Sequence, residues 1–255
     1  MSGVAVVKVG GNEVDDLSWL SALAAAVARR AKPTVLVHGG GKEITALQRA
    51  LGVEPEWRDG LRVTSAEGVR AVAMVLSGVV NKRLVSALLG AGVDAVGVSG
   101  EDGALLRADF LCGGAMGRTG EVTEVRAGLL RGWLSRGITP VVSPVSRGPD
   151  GGPLNVNADD AAAAVAAALG ADELLLVSNV PGVLREGSVL PRVDAADVEE
   201  LIAGGTASGG MAPKLRAAAR AAAGVRRVRI GGVEMLDDAG AGTRVRLTRA
   251  PAGYA

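Results

Sequence analysis

Short continuous apolar runs alternate along the chain with stretches in which apolar residues recur every third or fourth position. Residues 4–9, VAVVKV, form such a run with a single charge, Lys8. Runs of this kind suit strands buried on both faces of a parallel sheet. Others predict strands at 34–37, 95–99, 138–142, 173–178, 225–230 and 244–247. Leu17, Leu20, Leu23 and Val27 set helical spacing over 17–30, and similar spacing predicts helices at 42–51, 129–135, 158–169, 194–203 and 213–223. Thr64 and Glu67 fit a capping box that opens a helix carrying Val69, Val72, Ala73 and Leu76. A second helical stretch carries Val80, Leu84, Val85 and Leu88. Residues 52–62 read as a loop or short hairpin, 105–125 as strands and turns, and 143–153 and 206–210 as loops. Strands and helices alternating throughout imply an α/β class, a three-layer αβα sandwich around a mostly parallel sheet.

Composition narrows this picture. Hydrophobic residues make up 48% and aromatics only 2%, so the core must be built from Ala, Val and Leu. The net charge of +1 argues against a general nucleic-acid or membrane surface. Cys112 stands alone, which excludes an internal disulfide and suits a reducing cytosol, so a cytoplasmic location is expected. Met1 leads straight into the first strand without a signal peptide, and no stretch reads as both long and apolar enough to span a bilayer.

The candidate chemistry centres on glycine turns. TVLVHGGGK, residues 34–42, runs from a β-branched strand into three glycines and then a helical pattern. Strand, glycine turn and helix together aim free backbone N–H groups at an anion. A tight connection that binds nothing would read the same way in isolation. A second such turn, Gly10-Gly11, follows the strand that carries Lys8. A lysine inside an apolar run is costly without a partner or a task. Lys214 sits in the first turn of the helix behind Gly209-Gly210-Met211, where a cation is disfavoured unless an anion lies opposite. Asn155 and Asp159 stand at the entrance to the 158–169 helix; singly they read as a loop residue and an N-cap. Walker-type and dinucleotide fingerprints are missing, and His38 is the only histidine, which disfavours histidine metal clusters and Ser-His-Asp triads. No protein-held metal is expected. Lysines with glycine cradles suit phosphoryl transfer, where positioning and charge neutralisation dominate.

The order of motifs resembles the amino acid kinases and, within them, the acetylglutamate kinases. The segments are VVKVGG (6–11), LVHGGGKEI (36–44), DGLRVTSAEG (59–68), MVLSGVVNKRLV (74–85), GVSGEDG (97–103), NVNADDAA (155–162), VSNVPGVL (177–184) and GGMAPKL (209–215). The resemblance implies an open, largely parallel eight-stranded sheet between helical layers. It implies a single domain over 1–255, with a lobe of about 1–170 for substrate and dimerisation and one of about 171–255 for ATP. It places Gly39, Gly40 and Gly41 at the acceptor carboxyl group and the transferring phosphoryl, and Gly10 and Gly11 at the phosphates. Arg62 would hold the substrate α-carboxylate, a bidentate task that suits a guanidinium, and Asn155 would touch the same molecule. Lys8 and Lys214 would neutralise phosphoryl oxygens, with Asp159 positioning both. Ser178, Asn179, Val180, Pro181, Gly182, Val183, Leu184, Gly209, Gly210 and Met211 would contact ATP, which would bring Mg2+.

The activity so implied is ATP-dependent phosphorylation of the γ-carboxylate of N-acetyl-L-glutamate, a step of arginine biosynthesis. Its nucleophile, with a pKa of about 4.3, is ionised at neutral pH and needs no general base. Two features depart from the pattern. Asn179 stands where an aspartate is usual, and SNVPG with VNKRLV is similar to kinases of carrier-protein-linked aminoadipate in lysine biosynthesis. A non-catalytic amino-acid-binding regulatory protein is the alternative of another class; intact Lys8, Asp159 and Lys214 speak against it. Expected partners are small molecules, with no nucleic acid or membrane. Lys8 lying close to the N-terminus implies a homodimer without the extra helix of arginine-inhibited relatives, its contact the helical stretch 65–89.

Overall fold

The computed structural model describes residues 3–11 and 13–247. The reading of the N-terminal Met1 and the outermost part of the C-terminal lobe lie outside these residues. An eight-stranded sheet runs, edge to edge, through Arg192–Asp194, Thr243–Arg246, Arg227–Gly231, Glu173–Val177, Ala5–Val9, Thr34–His38, Thr139–Ser143 and Ala95–Ser99. Only the Arg227–Gly231 and Thr243–Arg246 pair is antiparallel.

Alternate side chains of the central strands enter two cores on opposite faces. Val6, Val35, Leu174 and Leu176 pack with the helices Ala127–Leu134, Ala158–Leu169 and Met211–Ala221. Val7, Leu36, Leu175 and Val177 pack with Leu17–Ala28 and the long helical stretch 66–90. The expected three layers are therefore present. The helix Ala158–Leu169 buries Ala161, Ala162, Val165 and Ala166, small residues that let it lie close to the sheet. Gly170 ends it in the left-handed region at φ 61°, a conformation glycine adopts without a Cβ penalty.

Several expectations are corrected. The N-cap of the helix Ala66–Ala73 is Ser65, whose hydroxyl accepts from Gly68 N–H at 2.9 Å. Thr64 is fully buried instead, bridging to Gly117. The two predicted helices after it are one uninterrupted stretch, because the π-helical turn Met74–Val80 carries the chain into Asn81–Gly90. At 25 residues and mean hydropathy 1.5, this stretch is long and apolar enough by length and composition to cross a membrane, contrary to the sequence expectation. Its Val69, Val72, Leu76, Leu84 and Leu88 are core residues. The 143–153 loop contains the strand Val145–Arg147, and Pro153–Val156 is another. With Leu106–Phe110 and Thr119–Val125 they close a small four-stranded barrel beside the main sheet. Asp194 ends an edge strand and caps the 3-10 turn Ala195–Asp197, so the α-helix of the predicted 194–203 segment is confined to Val198–Ala203. Residues 52–62 do form a hairpin, Glu56–Arg58 with Leu61–Val63.

Candidate active site

Lys8 follows Val6 on the face of its strand that looks toward the helix Ala158–Leu169. That helix is capped by Asn157, whose side chain accepts from the N–H groups of Asp159 and Asp160 at 2.9 and 3.3 Å. Asp159 is thus not the cap, and its carboxylate is free to face the sheet. One oxygen, Asp159 Oδ1, receives Lys214 Nζ at 2.8 Å and Lys8 Nζ at 3.1 Å. The anion expected opposite Lys214 is therefore this carboxylate. All three residues are buried. Burial raises the Asp159 carboxyl, but the two ammonium groups more than reverse this and hold it below the usual carboxylate range. Burial, followed by repulsion from Lys8, pushes the Lys214 ammonium down to about 8, against the pull of Asp159.

The two glycine turns meet above this triad. A Cβ on Gly11 would lie 2.3 Å from Gly40 N and 2.6 Å from Gly41 N, so only glycine allows the turns to touch. Gly41 opens the helix Gly41–Ala50, while the expected start was Lys42.

Arg62 comes from the hairpin, which lays Trp57 directly opposite it. Its guanidinium sits 4.4 Å from the Trp57 ring centroid. It donates to Gln48 Oε1 at 2.5 Å, Thr45 Oγ1 at 2.9 Å and Gly41 O at 3.2 Å. Each of these acceptors is neutral. Burial pushes Arg62 down to about 10, which leaves it cationic at neutral pH. Asn155 comes from the barrel and donates to Thr64 Oγ1 at 2.9 Å. Thr119 Oγ1 lies 3.0 Å from the same hydroxyl and 2.6 Å from Arg62 O, which ties hairpin to barrel.

These groups share one cleft of about 530 Å³. Of the predicted residues, Lys8, Gly10, Gly11, Gly39, Gly40, Gly41, Arg62, Asn155, Asp159, Ser178, Asn179, Val180, Gly210, Met211 and Lys214 line it. Pro181, Gly182, Val183, Leu184 and Gly209 do not. Val183 is fully buried, its N–H bonded to Thr243 Oγ1 at 2.8 Å, and Leu184 pairs with Val189 in a two-stranded turn. Sequence reasoning passed over Glu13, Trp57 and Thr119 on the cleft wall, and Gln48 and Thr45 behind Arg62. Trp57 carried a usable signal, an aromatic residue in an aromatic-poor chain just ahead of the GLRVT segment.

Buried lysines bridged by one carboxylate, glycine turns and an arginine with no acidic partner among the described residues describe a site for two anionic groups. The profile of the Amino acid kinase family matches residues 3–232. The chain belongs to the amino acid kinase family. This amino acid kinase is 51% identical over 232 residues to an acetylglutamate kinase of Roseiflexus castenholzii, covering 90% of the chain and 89% of that protein. It is 49% identical over 240 residues to an acetylglutamate kinase of Chloroflexus aurantiacus, covering 91% and 94%. The crystal structure of smu.665 from Streptococcus mutans superposes with a TM-score of 0.86 at 33% identity, covering 97% of this chain and 100% of that one. Carbamate kinase from Giardia lamblia bound to AMP-PNP gives 0.73 at 17% identity, covering 96% and 99%, a likeness of fold alone.

Proposed function

We propose that this amino acid kinase transfers the γ-phosphoryl group of ATP to the side-chain carboxylate of N-acetyl-L-glutamate, forming N-acetyl-L-glutamyl 5-phosphate for arginine biosynthesis. One observation carries the reading: Arg62, buried among neutral acceptors, shares a cleft with the Lys8–Asp159–Lys214 triad. An α-carboxylate on Arg62 turns the other end of a short dicarboxylate toward the lysines. The acceptor names of the relatives agree with that geometry.

In the transfer, a γ-carboxylate oxygen bonds to the γ-phosphorus as the bond to the β-γ bridging oxygen breaks and ADP leaves. No proton moves, so no general base is needed. Lys8 and Lys214 reduce repulsion between two anions, and Asp159 keeps both ammonium groups on the reaction line. Backbone N–H groups of Gly10, Gly11, Gly40 and Gly41 face the charge that develops, while the Gly39 N–H is taken by Val9 O at 3.1 Å. Asn155 orients the acceptor. The nucleotide lies along Ser178, Asn179 and Val180 and the 208–211 turn. Among the described residues no group of three or more His, Cys, Asp or Glu could hold a metal. Asp159 is committed to its lysines, so the chain suits a magnesium ion held by phosphates and water, which supplies charge neutralisation when bound.

The assembly read here is a homodimer in the cytoplasm. The helical stretch 66–90 leaves Met74, Val79 and Leu89 about half exposed, which supports it as the contact. Light scattering tests the dimer. ATP turnover with N-acetyl-L-glutamate tests the reaction, and turnover only with a carrier-linked acceptor would replace that substrate with the one suggested by Asn179 and VNKRLV.

A further inference from the structure

The motif VNKRLV, residues 80–85, supplies no group to the cleft wall. Its Asn81 is fully buried, at the point where the π-helical turn passes into the helix Asn81–Gly90. The amide nitrogen Asn81 Nδ2 lies 2.9 Å from Val141 O, 3.4 Å from Val98 O and 3.1 Å from His38 Nε2. On the other side, Lys82 Nζ donates to Asn81 Oδ1 at 3.0 Å and to Gly97 O at 3.0 Å. This surrounding fixes the amide orientation. A flipped amide would set its NH2 against an ammonium group and its oxygen against two carbonyls.

Asn81 therefore donates to His38 Nε2, which must present a lone pair. A neutral imidazole then carries its proton on Nδ1. His38 Nδ1 lies 3.2 Å from Gly39 O. His38 is fully buried, and Lys82 is the charged group that acts on it. Burial, seconded by Lys82 against the pull of that carbonyl, pushes it down to about 4, so the ring is neutral over the working range. The described residues contain no cis peptide. In a trans peptide the C=O and the following N–H point opposite ways. A Gly39 carbonyl held toward the His38 ring leaves the Gly40 N–H on the opposite side of that peptide, and Gly40 lines the cleft beside Gly11.

We infer that Asn81 and His38 are positioning residues: Asn81 sets the tautomer of His38, and His38 holds the Gly39–Gly40 peptide with its N–H toward the transferring phosphoryl group. The inference rests on the phosphoryl-transfer reading of this cleft. It gives the second core, behind the glycine turn, a part in the reaction without contact to either substrate.

His38 is the only histidine in the chain, so its ring nitrogens give one unambiguous set of signals in a long-range 1H–15N spectrum. At pH 7 the Nδ1–H tautomer is expected, with no titration down to pH 5. An Nε2–H tautomer, or a midpoint near the ordinary histidine value, overturns the inference whatever the kinetics. Asn81→Asp is nearly isosteric but can only accept, so it forces a proton onto Nε2. Because a misplacement of an ångström costs roughly 10²-fold in rate, kcat per folded molecule should fall by about that factor, with KM for both substrates within a few-fold. Unchanged kcat in a folded Asn81→Asp whose ring signals have moved overturns the proposal. A wild-type protein that does not turn over N-acetyl-L-glutamate at all would instead sink the substrate reading and leave the tautomer measurement standing.

Discussion

Lys8 and Lys214 reach the same oxygen of Asp159, at 3.1 and 2.8 Å. Two ammonium groups that would repel each other inside a protein are held together by one carboxylate, and both line the cleft. The two lysines come from positions 206 residues apart in sequence, 214 − 8. Asp159 Oδ1 brings two distant segments of the chain to one point.

Asp159→Asn should remove more than a hydrogen bond. Breaking a buried ion pair by deleting one partner costs about 3–5 kcal/mol, because charge is left uncompensated. Thermal unfolding should shift down markedly, and kcat should fall at least roughly 10²-fold as the lysines separate. Lys8→Ala should lower kcat far more than it weakens binding of either substrate. An unchanged kcat in Lys8→Ala would remove its role.

The pH profile should report Lys214. Its ammonium, pushed down to about 8 by burial and by repulsion from Lys8, is competent when protonated. As pH rises through about 8 the neutral form accumulates, so kcat/KM for ATP should decline on the alkaline side. Anionic phosphates favour the charged form, so kcat should hold to higher pH than kcat/KM. Lys214→Arg, which stays charged, should abolish the alkaline decline in whatever activity it keeps.

Arg62→Lys should raise KM for the amino-acid substrate by about 10²-fold, the size of a lost charge-assisted pair, with KM for ATP little changed. The fork that grips Gln48, Thr45 and Gly41 cannot be copied by an ammonium group. Trp57→Ala should have a smaller effect of the same kind, since it supplies one face of the guanidinium at 4.4 Å. Equal changes in both KM values would count against Arg62 as the carboxylate anchor.

Two glycine substitutions should separate fold from function. A Cβ at Gly11 would lie 2.3–2.6 Å from the backbone of Gly40 and Gly41, so Gly11→Ala should displace both turns and lower stability as well as activity. A Cβ at Gly41 meets nothing within 4 Å, on the cleft wall. Gly41→Ala should fold with nearly unchanged thermal stability and lose activity through the methyl group it places in ligand space. Unfolding curves paired with turnover assays distinguish the two.

Much of this was legible in the chain itself. The strand 4–9, the helix 158–169 and the alternation of the two periods were readable because each depends on local patterning and burial. Lys8 stood out as a charge in an apolar run, and Lys214 as a cation at a helix start. Ser65 displaced Thr64 as the cap because an isolated bridge to Gly117 holds Thr64 against a distant segment, and no local rule contains that contact. The strand Val145–Arg147 was hidden in a loop-like stretch because its partners lie in distant barrel segments.

The sequence by itself determined the α/β class, most element positions and the identity of the charged and glycine-rich groups, since these follow from short-range sterics and hydrophobic period. Tertiary structure alone decided which groups meet. It made Asn157 rather than Asp159 the cap, set Asp159 between two lysines, ringed Arg62 with neutral acceptors and stacked it on Trp57, and put His38 under Asn81. These are encounters across tens to hundreds of residues, governed by sheet order and helix packing, for which local propensity carries no term.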